Sequence, residues 1–243
     1  MAREYRQKSL FIAGTDTGVG KTVVAAGLLR LARDRGGAVR AVKPIETGCP
    51  EQDGILRPQD GSFLREASGG EAGIEQVVPY RFSLPASPAR AALAENRSIE
   101  TVDLVDFIKA GARNADLTVV EGAGGLMVPI NGDTMMIDLA QRLGYPVVLA
   151  ARTRLGTVNH TLLSLEALET RNIRIAAVVL SQTSPETGPE EEFTPKDMAR
   201  FAKDSPVLVL PHLDSETVGD PTRIGTIMAE SWPEEVINLL IGV

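Results

Sequence analysis

The chain has 243 residues, of which 43% are hydrophobic and 23% charged, enough to bury a core on both faces of a sheet, and one domain is expected. Asp and Glu number 32 against 25 Lys and Arg, and the formal charge of -7 argues against broad electrostatic binding to nucleic acid or to an anionic membrane. No apolar run approaches the roughly 20 residues of a membrane span, Met1–Lys8 leads straight into a short strand, and the lone Cys49 leaves no internal disulfide and no thiolate metal site; a cytoplasmic protein is expected.

Ser9–Ala13 reads as a buried strand, after which Gly14-Thr15-Asp16-Thr17-Gly18-Val19-Gly20-Lys21-Thr22 turns into a helix. This is the pattern of a nucleotide-phosphate cradle. Gly18 and Gly20 let backbone N–H groups converge on phosphate oxygens, Lys21 adds a mobile positive charge, and the Thr22 hydroxyl is placed to ligate magnesium at the helix N-terminus. The strict spacing expects glycine where Thr15 stands, so the loop is a variant P-loop.

A second strand, Ala38–Lys43, ends on a lysine. A second cation at a strand's carboxyl end is costly without an anion, so Lys43 is expected to meet a transferring phosphoryl group or a carboxylated substrate. In Pro44-Ile45-Glu46-Thr47-Gly48, Thr47 reads equally well as a turn hydroxyl or a substrate contact. From Pro44 to Pro88 the chain is rich in Pro, Gly and acidic residues and shows no strong strand, which predicts active-site loops with a short helix near Ser62–Ala67. Asp60 reads equally as a metal carboxylate or as the N-cap of that helix. Cys49, in a Gly-Cys-Pro turn, reads as an incidental loop cysteine.

A helix near Ile99–Arg113 precedes the apolar strand Leu117–Glu121, which ends in one carboxylate and the loop Gly122-Ala123-Gly124-Gly125. Glu121 is placed to hold magnesium, a hard cation that keeps one or two protein carboxylates when bound to phosphates, and the glycines allow close backbone approach to ligand oxygens. Helix Ile137–Leu143 and strand Val147–Ala151 follow, then a turn through Gly156 into helix Val158–Glu169, whose first amides are able to hold an anion. His160 on that helix is read as structural. Strand Ile175–Leu180 is followed by an acidic excursion, Gln182–Phe193, read as a solvated loop or a lid. Helix Thr194–Lys203 leads to the last strand, Val207–Leu210, and to Pro211-His212-Leu213, where His212 lines a base pocket or simply packs. Six short strands alternating with helices predict a doubly wound, mostly parallel α/β sheet of the P-loop NTPase kind, with ligands at the strands' carboxyl ends.

Gly-Thr-Asp-Thr-Gly-Val-Gly-Lys-Thr (14–22), Lys-Pro-Ile-Glu-Thr-Gly (43–48), Pro85-Ala86-Ser87-Pro88, Glu-Gly-Ala-Gly-Gly (121–125) and Gly-Thr-Val-Asn-His (156–160) together resemble the dethiobiotin synthetase family over almost the whole chain. The resemblance implies a reaction in which ATP, Mg2+ and carbon dioxide convert the vicinal diamine 7,8-diaminononanoate to the cyclic urea dethiobiotin through a carbamate and its phosphoric anhydride. It implies that Lys43, assisted by Lys21, stabilises carbamate and transferring phosphoryl, and that Thr22, Asp60 and Glu121 hold magnesium. Nucleotide contacts are implied for Gly18, Val19, Gly20, Lys21, Thr22, Val23, Asp60, Glu121, Gly122, Ala123, Gly124, Ser181, Gln182, Pro211, His212 and Leu213. Substrate contacts are implied for Thr17 and Thr47 and, from the neighbouring subunit of a homodimer, for Gly156, Thr157, Val158 and Asn159.

Two departures stand out. Where the family commonly presents Asn-Asp to adenine, this chain reads Ser181-Gln182, and a hydroxyl cannot make the amide's paired contact, so other nucleoside triphosphates are expected to compete with ATP. Gly18 also replaces a residue often acidic in relatives. Among alternatives, an amide synthase of the cobyrinate kind needs a further glutaminase domain for which the chain is too short. A partitioning or regulatory ATPase has a lysine early in the P-loop, where this chain has Thr15-Asp16-Thr17.

Overall fold

A computed structural model describes residues 7–185, 188–202 and 205–242, with the side chains of 189–192 left aside. The first half runs β1 (Lys8–Gly14), α1 (Lys21–Asp34), β2 (Val39–Val42), β3 (Ile45–Glu46), β4 (Glu51–Gln52), β5 (Ile55–Leu56), α2 (Gln59–Ala67), α3 (Ile74–Val77), β6 (Tyr80–Arg81), α4 (Pro88–Ala94) and α5 (Thr101–Ala112). The second half runs β7 (Leu117–Glu121), α6 (Met136–Leu143), β8 (Val147–Arg152), α7 (Thr157–Thr170), β9 (Ile175–Ser181), α8 (Pro189–Phe201), β10 (Val207–Leu210), α9 (Ser215–Val218), α10 (Pro221–Ser231) and α11 (Glu234–Ile241).

Six strands form one parallel sheet in the order β10-β9-β8-β1-β7-β2. Its strands are largely apolar because helices cover both faces. Along β1, Leu10 and Ile12 enter one core with α1, α2, α10 and α11, while Phe11 and Ala13 enter the other with α5, α6 and α7. The period of two that defines a strand thus divides one segment between two cores. Fully burying a side chain such as Phe11 or Ile12 contributes about 1.5–3 kcal/mol against leaving it in water.

The register positions the chemistry. Val42 lies opposite Val120, and Ile12 opposite Glu121, so Lys43, Glu121 and the start of the P-loop emerge side by side at the sheet's carboxyl edge. Helix α1 begins directly after Gly20, which adopts a left-handed φ of 92°. A Cβ there would lie 2.7 Å from the Ser181 hydroxyl oxygen, so both the backbone angle and the end of β9 require glycine.

The six predicted strands all appear, within a residue of their expected ends. The region 44–88 holds no long strand, as expected, but short pairs: β3 pairs in parallel with β6, and β4 with β5 form a small hairpin, pairs too short to show any periodicity. Three expectations are corrected. The helix expected at 62–67 begins at Gln59, and that expected at 194–203 begins at Pro189, with Lys203 outside the described residues. No helix was expected after Leu210, yet three follow. The Asp220-Pro221 pair, in which the Asp220 carboxylate accepts from the Thr222 and Arg223 amides and proline occupies the first turn, was a readable start signal.

Candidate active site

Two clefts open at the carboxyl edge of the sheet. The first, about 480 Å³, lies over the P-loop and α1, between Thr17, Gly18, Gly20 to Val23, and the Ser181–Thr183 and Leu210–Leu213 segments. The second, about 450 Å³, runs from Lys43 past Glu46 and Thr47 to Pro85–Pro88 and Ala123. Thr17, Lys43, Asp60 and Gly124 border both, so the clefts meet at the Lys43 ammonium.

Lys43 is only 3% exposed. Its Nζ donates to Glu121 Oε1 at 2.5 Å and to Asp60 Oδ2 at 2.9 Å. Burial opposes the ammonium, but the charges of Glu121 and Asp60 outweigh it and hold Lys43 above the ordinary lysine range. Burial likewise pushes the Glu121 carboxyl upward, against the pull of Lys43. At this separation the pair is an ammonium and a carboxylate, kept in a region where an uncompensated charge would be expensive.

Thr22 Oγ1 donates to Glu121 Oε1 at 2.9 Å, while Glu121 Oε2, fully buried, has no hydrogen-bond partner among the described residues. A carboxylate with one orphaned oxygen, its other oxygen bonded to a threonine hydroxyl at the start of a P-loop helix, offers hard oxygen donors beside the phosphate cradle, and these residues fit magnesium. Asp60, with its side chain 44% exposed, meets the same Lys43 Nζ and is a further oxygen donor near the site. It does not cap α2. It lies inside the first turn after Pro58, with its carboxylate turned to Lys43.

Lys21 is 6% exposed and donates to the Asp16 carbonyl at 2.8 Å. Burial, with the nearby Lys43 charge, pushes it down to about 8, against the opposing pull of Glu121, Asp60 and Asp16. Phosphates placed beside it will draw a proton onto the amine, so nucleotide affinity will fall as pH rises through about 8. Titration calorimetry of nucleotide near pH 8.5, in two buffers of unlike ionisation enthalpy, will show proton uptake; equal apparent enthalpies in the two buffers would contradict this.

The remaining expected residues divide. Val23, Ser181, Gln182, Pro211, His212 and Leu213 line the first cleft, and Thr47 and Ala123 the second. Gln182 Oε1 accepts from the His212 amide at 3.2 Å, and His212 Nδ1 stands 3.3 Å from the Gln182 carbonyl, which ties the two segments together. The Ser181 hydroxyl is buried without a partner among the described residues. Val19 is fully buried, and Gly122 packs where a Cβ would lie 3.1 Å from Phe11, so the side-chain positions of both face protein and not a cleft. Gly156, Thr157, Val158 and Asn159 open α7 and border neither cleft in this chain. Cys49 is 2% exposed, and burial pushes its thiol up to about 11, so it is an inert packing residue.

Two residues were missed. Arg152, at the end of β8, donates to Asp16 Oδ2 at 3.1 Å and to the Thr17 carbonyl at 3.3 Å, latching the outer limb of the P-loop. Glu46, 6% exposed, accepts from the amides of Asp60 and Gly61 at 3.0 and 2.8 Å. Its sole sequence signal was an acidic residue at the end of a short apolar step after Lys43.

Comparison with known proteins agrees with this geometry. A family model described as an AAA domain matches residues 8–222. An "ATP-dependent dethiobiotin synthetase BioD" of Anaeromyxobacter dehalogenans (strain 2CP-C) is 44% identical over 84% of this chain and 90% of its own length. Another, from Bacillus licheniformis, is 35% identical over 89% and 90%. Among solved structures, the septum site-determining protein MinD complexed with Mg-ADP from Pyrococcus horikoshii matches with a TM-score of 0.56 at 16% identity over 96% of this chain and 94% of that one. A ParA family ATPase from Chlorobium tepidum matches with a TM-score of 0.51 at 14% identity, covering 98% and 97%. The two structures share the fold alone, whereas the sequence relatives are similar to this chain over most of both lengths: the chain belongs to the dethiobiotin synthetase family.

Proposed function

We propose that this chain catalyses the ATP-dependent closure of 7,8-diaminononanoate and carbon dioxide to dethiobiotin, on a single domain and in the cytoplasm. The observation that carries the reading is Lys43, a buried ammonium held by two carboxylates where two clefts meet. One cleft suits a nucleotide over the P-loop, and the other a small substrate entering from Thr47 and Pro85–Pro88.

One amine of the substrate adds to carbon dioxide and loses a proton, giving a carbamate. A carbamate oxygen displaces ADP at the γ-phosphorus, forming a carbamic-phosphoric anhydride. The second amine then attacks the carbonyl carbon, phosphate leaves with the bonding pair, and the urea ring closes. Carbamate and γ-phosphate are both anions, so the protein's task is to bring them into line and offset their charge, with little acid–base work. Lys43 contacts both from the junction, and Lys21 follows the β and γ phosphates. Thr22, Asp60 and Glu121 would hold Mg2+, which when bound neutralises phosphate charge. Thr17 and Thr47 present hydroxyls to the substrate.

The distal carboxylate of the substrate is held by Gly156, Thr157, Val158 and Asn159 of a second copy in a homodimer. Three apolar side chains support such a pairing: Leu155 is 95% exposed, and Met127 and Leu163, each 56% exposed, border one groove beside Thr15 and Asp16. Among the described residues no helix is long and apolar enough to cross a membrane.

Phosphate release from Mg-ATP and bicarbonate, with and without the diamine, followed by mass analysis for dethiobiotin, tests the reading; diamine-independent hydrolysis would refute it. Repeating the assay with CTP and GTP tests the base site. The small Ser181 hydroxyl leaves the paired contact to adenine unmade, so kcat/KM is expected to differ among the triphosphates by less than about tenfold, and a hundredfold preference for ATP would overturn this.

A further inference from the structure

Glu46 is buried, within reach of the charges of Lys43 and Asp60, and the reaction as described gives it no work. Each of its carboxylate oxygens accepts one backbone N–H from the first turn of α2: Oε1 from Asp60 and Oε2 from Gly61. Those amides have no partner within the helix, and Pro58, which precedes it, has no side-chain group to cap them. The cap therefore arrives from a different element, β3, with its negative charge on the positive end of the helix. Gly61 makes the approach possible, since a Cβ there would lie 2.0 Å from Val78 and 3.3 Å from Glu46 Oε2.

The other side of this contact is the active site. β3 is fixed by its pairing with β6 and by the Phe82 amide donating to the Glu46 carbonyl at 3.0 Å. Three residues upstream, the Lys43 amide donates to the Val77 carbonyl at 2.8 Å. One rigid step of chain thus carries Lys43 at one end and, through the Glu46 carboxylate, anchors Asp60 at the other. The ring closes where Asp60 Oδ2 meets Lys43 Nζ at 2.9 Å.

We infer that Glu46 is a positioning residue for the phosphoryl-transfer end of the site, acting through the Asp60 backbone on the Asp60 carboxylate and so on Lys43. The inference rests on the proposed function for its catalytic meaning, but the contact itself is tested separately. In the unmodified protein, the Asp60 and Gly61 amides will exchange with deuterium slowly, unlike ordinary first-turn amides. Exchange as fast as that of the Val102 and Asp103 amides of α5, a helix with no side-chain cap, would overturn the cap.

Glu46→Gln will lower kcat by about tenfold to a hundredfold, because a misplacement on the order of an ångström is enough to do so, with less effect on KM for ATP. Combined with Asp60→Asn, it will cost no more than Asp60→Asn alone, since both changes break one chain of contacts. Independent, multiplicative losses would show that Glu46 does not act through Asp60, and an unchanged kcat with a lowered melting temperature would show that it serves folding only; either result overturns the inference. If the wild-type enzyme makes no dethiobiotin, the function fails while amide exchange still decides whether Glu46 holds Asp60.

Discussion

Replacing Lys43 with alanine will lower the turnover of dethiobiotin formation by about a thousandfold or more, while nucleotide binding stays measurable. The expected size follows from what the ammonium does: it meets charge that develops between two anions, at a buried position where water cannot substitute for it. The P-loop amides, Lys21 and Thr22 remain in the variant and still cradle the phosphates. A turnover within tenfold of wild type would remove Lys43 from the mechanism. The substitution also leaves Glu121 buried without its nearest cation, and its carboxyl, already pushed upward by burial, will rise further. A carboxyl whose folded pKa lies above its unfolded value binds more protons when folded, so stability is lost as pH rises through that range. The melting temperature of Lys43→Ala is therefore expected to fall, relative to wild type, as pH rises above the ordinary carboxylate range.

Replacing Glu121 with glutamine will remove the magnesium-dependent part of nucleotide affinity and destabilise the fold by about 3–5 kcal/mol, the usual result of taking one partner from a buried ion pair. The amide preserves the shape of the side chain, so the loss reports on charge. Lys43 keeps Asp60 as a counterion, but Asp60 is partly in water and cannot hold the charge as Glu121 does. ATP titrated without magnesium should bind the variant about as well as it binds wild type, whereas the increment on adding magnesium should disappear. An intact increment would show that the orphaned Glu121 oxygen is not a metal ligand. Denaturant unfolding without nucleotide measures the stability loss independently.

Much of this molecule was legible because its signals are local. A strand that ends in glycines and opens into Lys21-Thr22 carries its mechanism within a dozen residues. Leu117–Glu121 is a buried run that stops on a carboxylate, and its buried character already argued that Glu121 does not face water. The same locality accounts for what was missed. Two-residue strands have no period to detect, so the pairing of Ile45–Glu46 with Tyr80–Arg81 was unreadable, and with it the reach of Glu46 to the next helix. Asp60 illustrates the limit most clearly. By spacing alone it was as good an N-cap as a metal ligand, and only the position of Lys43, 17 residues away, decides where its carboxylate points.

By itself, then, the sequence determined the six strands, the phosphate cradle, the lysine and carboxylate at strand ends, and the family, because each rests on residue types at short fixed spacings. Only the tertiary structure decided that Lys43, Asp60 and Glu121 share one buried point between two clefts. That depends on strand order and register, β2 beside β7 and β7 beside β1, which are set by long-range packing of both faces of the sheet and leave no mark in any single segment.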